Sequence, residues 1–295
     1  MRTKLALLLT AILVALPSAA TAVTPVRVLD SRGASELSGT LHGDRFGWTA
    51  NSAQRPKTFR GYVSEAGGLA HKIKIGGDLF VGDVILDGPR AGQVVVTAND
   101  LRGGDIRFAD LLTQEEVAAP DGINTRRRET GGTVSGDYLA FTRYYGNTRR
   151  DVLLYQFSTD TLTTIAEGWF FVTQVNGDYV SYTRCTNRTC DVWRYRISTG
   201  TTNRMPRAAR GRANYYPAVG ADGTVYYVQG DYDDCGRNTK ILRWNAGDVS
   251  QALKVQDGTE LGTLNVGNDA LEDVLLFGEI NCRNGDWGIY RIPLG

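Results

Sequence analysis

A few groups of side chains in this 295-residue sequence have types and spacings that could do chemistry. Asp231, Asp233 and Asp234 surround Tyr232, and closely spaced carboxylates are hard oxygen donors of the kind Ca²⁺ takes. They lack the spacing of an EF-hand loop, and acidic loops are commonly just solvated. They are therefore the candidate metal ligands, for Ca²⁺ if for any ion, and no other cofactor is expected. Cys185, Cys190, Cys235 and Cys282 could pair as disulfides or hold a metal; no His lies near them and no C-x-x-C occurs, which favours disulfides. His42 and His71 are the only histidines, and neither has a recognisable Ser or Asp partner in the sequence. There is no G-x-S-x-G elbow and no glycine loop of the phosphate-binding kind. No residue is assigned as catalytic. Carboxylates paired across a channel could still cleave a glycoside, yet Asp137 and Asp178 read more simply as turn residues. Tyr144, Tyr145, Arg149, Arg150, Arg210, Arg212, Tyr232 and Arg283 lie in polar, turn-rich segments and are the candidate binding residues, because Tyr and Arg dominate interface hot spots.

The elements that must position these residues are written as a repeat. Gly136-Asp137-Tyr138-Leu139-Ala140-Phe141-Thr142-Arg143 leads on to Asp151–Thr159, and Gly177-Asp178-Tyr179-Val180-Ser181-Tyr182-Thr183-Arg184 leads on to Asp191–Thr199. Apolar/polar alternation bounded by Gly, Asp and Asn marks strands. With that template, second strands are expected at Arg45–Trp48, Gln93–Ala98, Tyr138–Arg143, Tyr179–Arg184, Thr224–Gln229 and Asp273–Gly278. Third strands are expected at Thr58–Val63, Asp105–Asp110, Asp151–Phe157, Asp191–Ile197, Lys240–Asn245 and Asp286–Ile292. In five of these third strands an apolar residue precedes an aromatic by three places, as in Val152/Tyr155 and Ile241/Trp244; Ile106/Ala109 is the exception. Six units of roughly 45 residues match four-stranded propeller blades. The expected fold is all-β, a six-bladed β-propeller. Its last unit stops after a third strand, so Val26–Asp30 is expected to supply the fourth and close the ring, removing two exposed edges.

Pro217-Ala218-Val219-Gly220-Ala221-Asp222-Gly223-Thr224-Val225-Tyr226-Tyr227-Val228 resembles the P-x-x-S-P-D-G signature of the TolB-like propeller repeat, with Gly220-Ala221 in place of Ser-Pro. The strands opening at Asp151, Asp191 and Asp286 resemble that family's third strand. The other blades carry Gly-Asp where the family has Asp-Gly. The resemblance implies a six-bladed propeller of the kind found in exported bacterial proteins, which more often bind proteins or sugars than catalyse.

Blade topology puts all four cysteines in loops between second and third strands. It favours Cys185–Cys190 within one loop and Cys235–Cys282 between neighbouring loops. These loops and the inter-blade connections emerge on one face, together with Arg126–Arg128 and the arginines from 204 to 212. One basic face across units three to five, with an acidic spot in unit five, is expected to meet a protein or a cell-envelope glycan. The rival reading is an extracellular hydrolase or lyase working from the central channel. Trp193 and Trp287 are expected in the core between blades.

Arg2 and Lys4, an apolar run from Leu5 to Leu16 and Ala20-Thr21-Ala22 have the form of a cleaved signal peptide. Residues 1–22 would be removed and 23–295 would form a single propeller domain, secreted or periplasmic and oxidising enough for disulfides. Hydrophobic content of 42% with 35 glycines and 8 prolines suits a turn-rich globular β fold. A net charge of +1 provides no overall field for nucleic acid, and no membrane insertion is expected. A monomer is expected.

Overall fold

The computed structural model describes residues 25–29, 34–52, 55–65, 68–100, 103–147, 149–186, 189–231, 238–255, 258–268, 272–284 and 286–294. The expected leader, Tyr232, Asp233, Asp234 and Cys235 lie outside them.

The regular structure of the described chain is almost entirely β-strand. Strand β1 (Val26–Leu29) precedes blade 1, built from β2 (Ala34–His42), β3 (Arg45–Ser52), β4 (Arg55–Glu65) and β5 (His71–Lys72). Blade 2 is β6 (Asp78–Ile85), β7 (Gln93–Asp100), β8 (Gly103–Asp110) and β9 (Glu116–Val117). Blade 3 is β10 (Glu129–Ser135), β11 (Tyr138–Tyr145), β12 (Arg149–Gln156) and β13 (Thr161–Ala166). Blade 4 is β14 (Phe170–Asn176), β15 (Tyr179–Thr186), β16 (Thr189–Arg196) and β17 (Thr201–Arg204). Blade 5 is β18 (Arg212–Val219), β19 (Val225–Asp231), β20 (Lys240–Asn245) and β21 (Asp248–Lys254). Blade 6 is β22 (Thr259–Asn268), β23 (Asp273–Asn281) and β24 (Asp286–Pro293), completed by β1. Every expected second and third strand is present, most of them a few residues longer than expected.

The expected closure is present. β1 pairs antiparallel with β24, Val26 opposite Arg291 and Arg27 opposite Tyr290. At the same seam β2 and β22 touch in parallel at His42 and Asn268, and Gly43 N donates to Asn268 O at 2.9 Å.

The spacing of three in the third strands has a physical cause. Residues an odd number apart on a strand point to opposite faces, so each such pair feeds two different layers between blades. Val152 packs toward blade 4 with Val175, Val180 and Tyr182, whereas Tyr155 packs toward blade 2 with Ile106 and Phe108. Ile241 faces blade 6 and Trp244 faces blade 4 in the same way. The poor sequence match obeys the rule too: Ile106 faces blade 3 and Ala109 faces blade 1. Trp193 is partly buried between blades 3 and 4, as expected; Trp287 is half-buried.

Polar bonds tie the blades at the inner strands. Thr49 Oγ1 accepts from Val81 N at 2.7 Å, Thr97 Oγ1 from Gly131 N at 3.0 Å, and Thr133 Oγ1 from Val175 N at 2.8 Å. Backbones also meet directly. A Cβ on Gly82 would lie 1.7 Å from Gly132 O, and one on Gly267 would lie 2.0 Å from Leu41 O, so only glycine allows these approaches. Gln174, 1% exposed, reaches from the inner strand of blade 4 to blades 5 and 6. Its Oε1 accepts from Val219 N and Val266 N, both at 3.1 Å, and its Nε2 donates to Val266 O at 2.6 Å. Because blades 4 and 6 are not neighbours, this side chain crosses the channel.

The Asp222-Gly223 turn joins β18 to β19 as expected, with Gly223 at φ +84° and Asp222 Oδ1 accepting from Thr224 N at 2.9 Å. Asp137 and Asp178 are turn residues, also as expected.

Candidate binding face and central channel

One end of every blade carries the turn between its second and third strands and the connection to the next blade. On blade 3 the strands run further than expected, so Tyr144, Tyr145, Arg149 and Arg150 lie on strand ends. Register pairs Tyr144 with Arg150 and Tyr145 with Arg149, and alternation sends the two pairs to opposite sides of the blade. The connection entering the blade brings Arg127 and Arg128 above them. Arg127 lies 4.3 Å from the centre of the Tyr145 ring, with Arg149 at 4.8 Å from the same ring. Arg128 lies 4.9 Å from the Tyr144 ring and Arg150 4.7 Å from it. Arg150 also stands 4.0 Å from Trp169 and 4.5 Å from Phe171 of the next blade. The result is a ladder in two stacks of guanidinium and aromatic groups: Arg127–Tyr145–Arg149 on one side of blade 3, and Arg128–Tyr144–Arg150 with Trp169 and Phe171 on the other, spanning blades 3 and 4.

The charges on this ladder are unequal. Arg149 is neutralised: its Nε donates to both oxygens of buried Asp151 at 2.8 Å, and Glu167 lies 3.4 Å from its Nη2. The Asp151 hydrogen bonds raise the Arg149 pKa despite the opposing desolvation. Among the described residues no carboxylate pairs with Arg127, Arg128 or Arg150, and Arg150 Nε is buried without a hydrogen-bond partner. A guanidinium lying over a ring keeps its charge and its donor edge. The ladder can therefore receive carboxylate, phosphate or sulfate groups while its rings cover flat apolar surface. Trp169 and Phe171 were not among the sequence candidates; the run Trp169-Phe170-Phe171 beside a basic connection was the available signal.

The remaining candidates do not join this cluster. Arg212 is held by Asp231 at 3.5 Å, and Asp231 Oδ2 also accepts from Asn238. Arg204 pairs with Asp191. The expected continuous basic face across units three to five is thus interrupted, because arginines of blades 4 and 5 are spent on neighbouring carboxylates. Arg210 is exposed on the blade 4–5 connection, and Arg283 is exposed on blade 6, opposite blade 3 in the ring. Tyr232 lies outside the described residues, as do two of the three candidate Ca²⁺ ligands. Among the described residues no cluster of three His, Cys, Asp or Glu could hold a metal.

Cys185 and Cys190 sit opposite one another on β15 and β16 and form the expected disulfide, on the same end of the ring as the ladder. Cys282 is disulfide-bonded; its expected partner, Cys235, lies outside the described residues.

Among the described residues the channel has a cavity at each end. The one at the ladder end, about 320 Å³, is lined by the inner strands of blades 1, 2, 3 and 6 and by Arg128. The other, about 280 Å³, lies at the opposite end beside His42, Asp87, Ser135, Asn176 and Asn268. His42 has a partner that sequence reading did not find. Its Nε2 lies 2.8 Å from Asp83 Oδ1, an oxygen that also accepts from Thr40 Oγ1 at 2.6 Å. Asp83 is 41 residues away on the neighbouring blade, a distance no local motif bridges. His71 is exposed on β5.

No protein-family model matches the sequence, and no curated protein matches it. Solved structures match the architecture. A structure assigned as TolB from Agrobacterium tumefaciens is similar at TM-score 0.57 and 11% identity, over 88% of this chain and 90% of that one. An oligogalacturonate lyase in complex with manganese is similar at TM-score 0.53 and 12% identity, over 94% of each chain. The β-propeller domain of the Trilobed protease from Pyrococcus furiosus is similar at TM-score 0.54 and 7% identity, over 90% of this chain and 95% of that one. Relatedness this distant carries the fold and not the activity. In fold, the chain is a TolB-like six-bladed β-propeller.

Proposed function

We propose that this chain is an exported, non-catalytic binding module, released from residues 1–22 and acting as a monomer outside the cytoplasm. Its partner is an acidic protein surface or acidic glycan of the cell envelope, met by the ladder end of blades 3 and 4. The observation that carries this reading is the stacking of Arg127 on Tyr145 and of Arg128 and Arg150 on Tyr144 and Trp169, with no paired carboxylate among the described residues. A rigid scaffold presenting charged forks and flat rings is how interface anchors are arranged. The Cys185–Cys190 disulfide and the fold likeness to TolB support the exported setting.

A second reading, hydrolysis or elimination from the channel, is favoured by the His42–Asp83 pair. The imidazole, however, is engaged by both Asp83 and Asn268.

Surface plasmon resonance against purified envelope glycans and envelope proteins tests the first reading. The pair Arg127→Ala/Arg150→Ala should weaken binding at least ~10-fold, with a shallower salt dependence, since hot-spot truncations cost about 2 kcal/mol or more. Arg243→Ala, far from the ladder on β20, should leave binding unchanged. Binding indifferent to the ladder pair would refute the assigned face.

A further inference from the structure

The basic connection that enters blade 3 is fastened from within the fold. Ile123 is fully buried among Ile106, Phe108, Val134 and Phe141. Asn124 grips the backbone of Ile106 twice: its Oδ1 accepts from Ile106 N at 2.8 Å, and its Nδ2 donates to Ile106 O at 2.7 Å. Beside these anchors stands an ion pair, Arg143 Nε donating to Glu129 Oε1 at 2.7 Å, with side chains 9% and 0% exposed. Arg143 Nη2 donates to the carbonyls of Gly122 at 2.9 Å and Ile123 at 2.8 Å. Glu129 Oε1 also accepts from Thr125 Oγ1 at 2.8 Å, and Thr125 Oγ1 accepts from Arg127 N at 3.0 Å. A chain of hydrogen bonds thus runs from Arg143 inside blade 3 to the backbone of Arg127 at the surface.

The same pair sets the register of the stacks. Glu129 stands opposite Arg143 across β10 and β11, and one step further on Tyr144 N donates to Arg128 O at 2.9 Å. Across β11 and β12, Tyr144 faces Arg150 and Tyr145 faces Arg149. Each tyrosine is therefore flanked by one arginine of the connection and one of β12. Stability gives little reason for the buried pair, since exchanging such a pair for apolar side chains of similar size is often neutral. Glu129 Oε2, moreover, is buried without a hydrogen-bond partner, which is itself costly. What the pair does hold is shape: Arg126, Arg127 and Arg128 are exposed, adjacent and alike in charge, so their connection needs an internal grip. We propose that Glu129 and Arg143 are positioning residues of the ladder, an inference that rests on the ladder being the binding face. They meet no partner themselves. They keep Arg127 and Arg128 over Tyr145 and Tyr144 before a partner arrives, so that little ordering is left to be done on binding.

Limited trypsin digestion and binding of poly-L-glutamate, both on the full chain, test this. Trypsin cuts after arginine, so cleavage at 126–128 reads how firmly the connection is held, with no partner present. Glu129→Leu/Arg143→Met removes both charges at similar size and should keep the melting temperature. This double variant should be cut at 126–128 at least ~10-fold faster than wild type, while cleavage after exposed Arg210 stays unchanged. Thr125→Val removes only the link to Arg127 N and should speed the same cut in an unaltered fold. Affinity for poly-L-glutamate should fall about 10-fold in the double variant and be kept in Glu129→Gln, which retains the acceptor oxygen. Unchanged trypsin resistance in both Thr125→Val and the double variant would overturn the proposal. So would a lower melting temperature with every site cut faster alike, the mark of a purely structural role. A loosened connection with full poly-L-glutamate affinity would overturn it too, provided that Arg127→Ala/Arg150→Ala weakens that binding. If the ladder pair leaves it unchanged, the ladder reading itself fails, and the cleavage rates still decide the positioning.

Discussion

Asp137 and Asp178 do more than make a turn. Asp137 Oδ1 accepts from Ser158 N at 2.7 Å, and its other oxygen takes Gln156 Nε2 and Ser158 Oγ. Asp178 repeats this with Ser198 N, Ser198 Oγ and Arg196 Nε. Each carboxylate clamps the first turn of its blade to the third, the one between its third and fourth strands. Desolvation pushes both carboxyls up, but the hydrogen bonds outweigh it and hold both below the ordinary value of 3.8. A depressed folded pKa gives stability that is present above that ordinary value and lost as pH falls through the folded one. Asp178→Ala should lower stability by ~1 kcal/mol at pH 7, and the gap to wild type in thermal melts should narrow at acid pH below the ordinary 3.8. Equal gaps at both pH values would show that the charge is immaterial. Thr97→Val should likewise cost ~1 kcal/mol by leaving Gly131 N without its acceptor. The turn role of both aspartates was legible from Gly-Asp between alternating runs. The clamp was not, because its partners lie 18 to 21 residues away; Ser158 and Ser198 recur at the same place in the repeat, but recurrence alone does not say that they meet the aspartates.

Among the strands, β1 has the largest consequence for its size. Four residues complete blade 6 and cover the outer edge of β24. An uncovered strand edge is a template for pairing with another chain. Deleting 25–29 should lower the melting temperature by several degrees and bring concentration-dependent association, read by light scattering; a monomer of unchanged stability would mean that β1 is not the clasp. The Cys185–Cys190 bridge closes a short hairpin, with a sequence separation of 5. On the chain-entropy account its reduction should cost about 2 kcal/mol, seen as a lower denaturation midpoint in reductant. Strand order and closure were readable from counting, since repeats must be whole to stack. Strand ends were less so: Tyr144 to Arg150 has loop-like composition, yet cross-strand Tyr–Arg pairing carries the ladder on to the turn.

The ring as a whole is held at its seam by His42. This side chain stands at the end of β2, bonds to Asp83 of blade 2, and faces Asn268 of blade 6. Burial opposes its charge, but the carboxylate of Asp83, the hydrogen bonds to Asp83 and Asn268 and the field of Asp87 outweigh it, so its pKa lies above the ordinary 6.5. A raised folded pKa gives stability that is full below that ordinary value and lost as pH rises through the folded one. Thermal melts should therefore show stability falling above about pH 6.5, and His42→Gln should flatten that slope. An unchanged slope would remove His42 as the cause.

Period, strand pattern and turn residues determined the propeller, its six blades and its N-terminal clasp, because alternation and whole-unit repetition are local properties of a chain. The cysteine pair at 185 and 190 was equally local. What joins residues from different blades was decided only in three dimensions: the Arg150–Trp169–Phe171 end of the ladder, the His42–Asp83 bond and the Gln174 crossing. Each depends on which side chains a closed ring brings together across its seams and its axis, and nothing in the spacing along the chain encodes those distances.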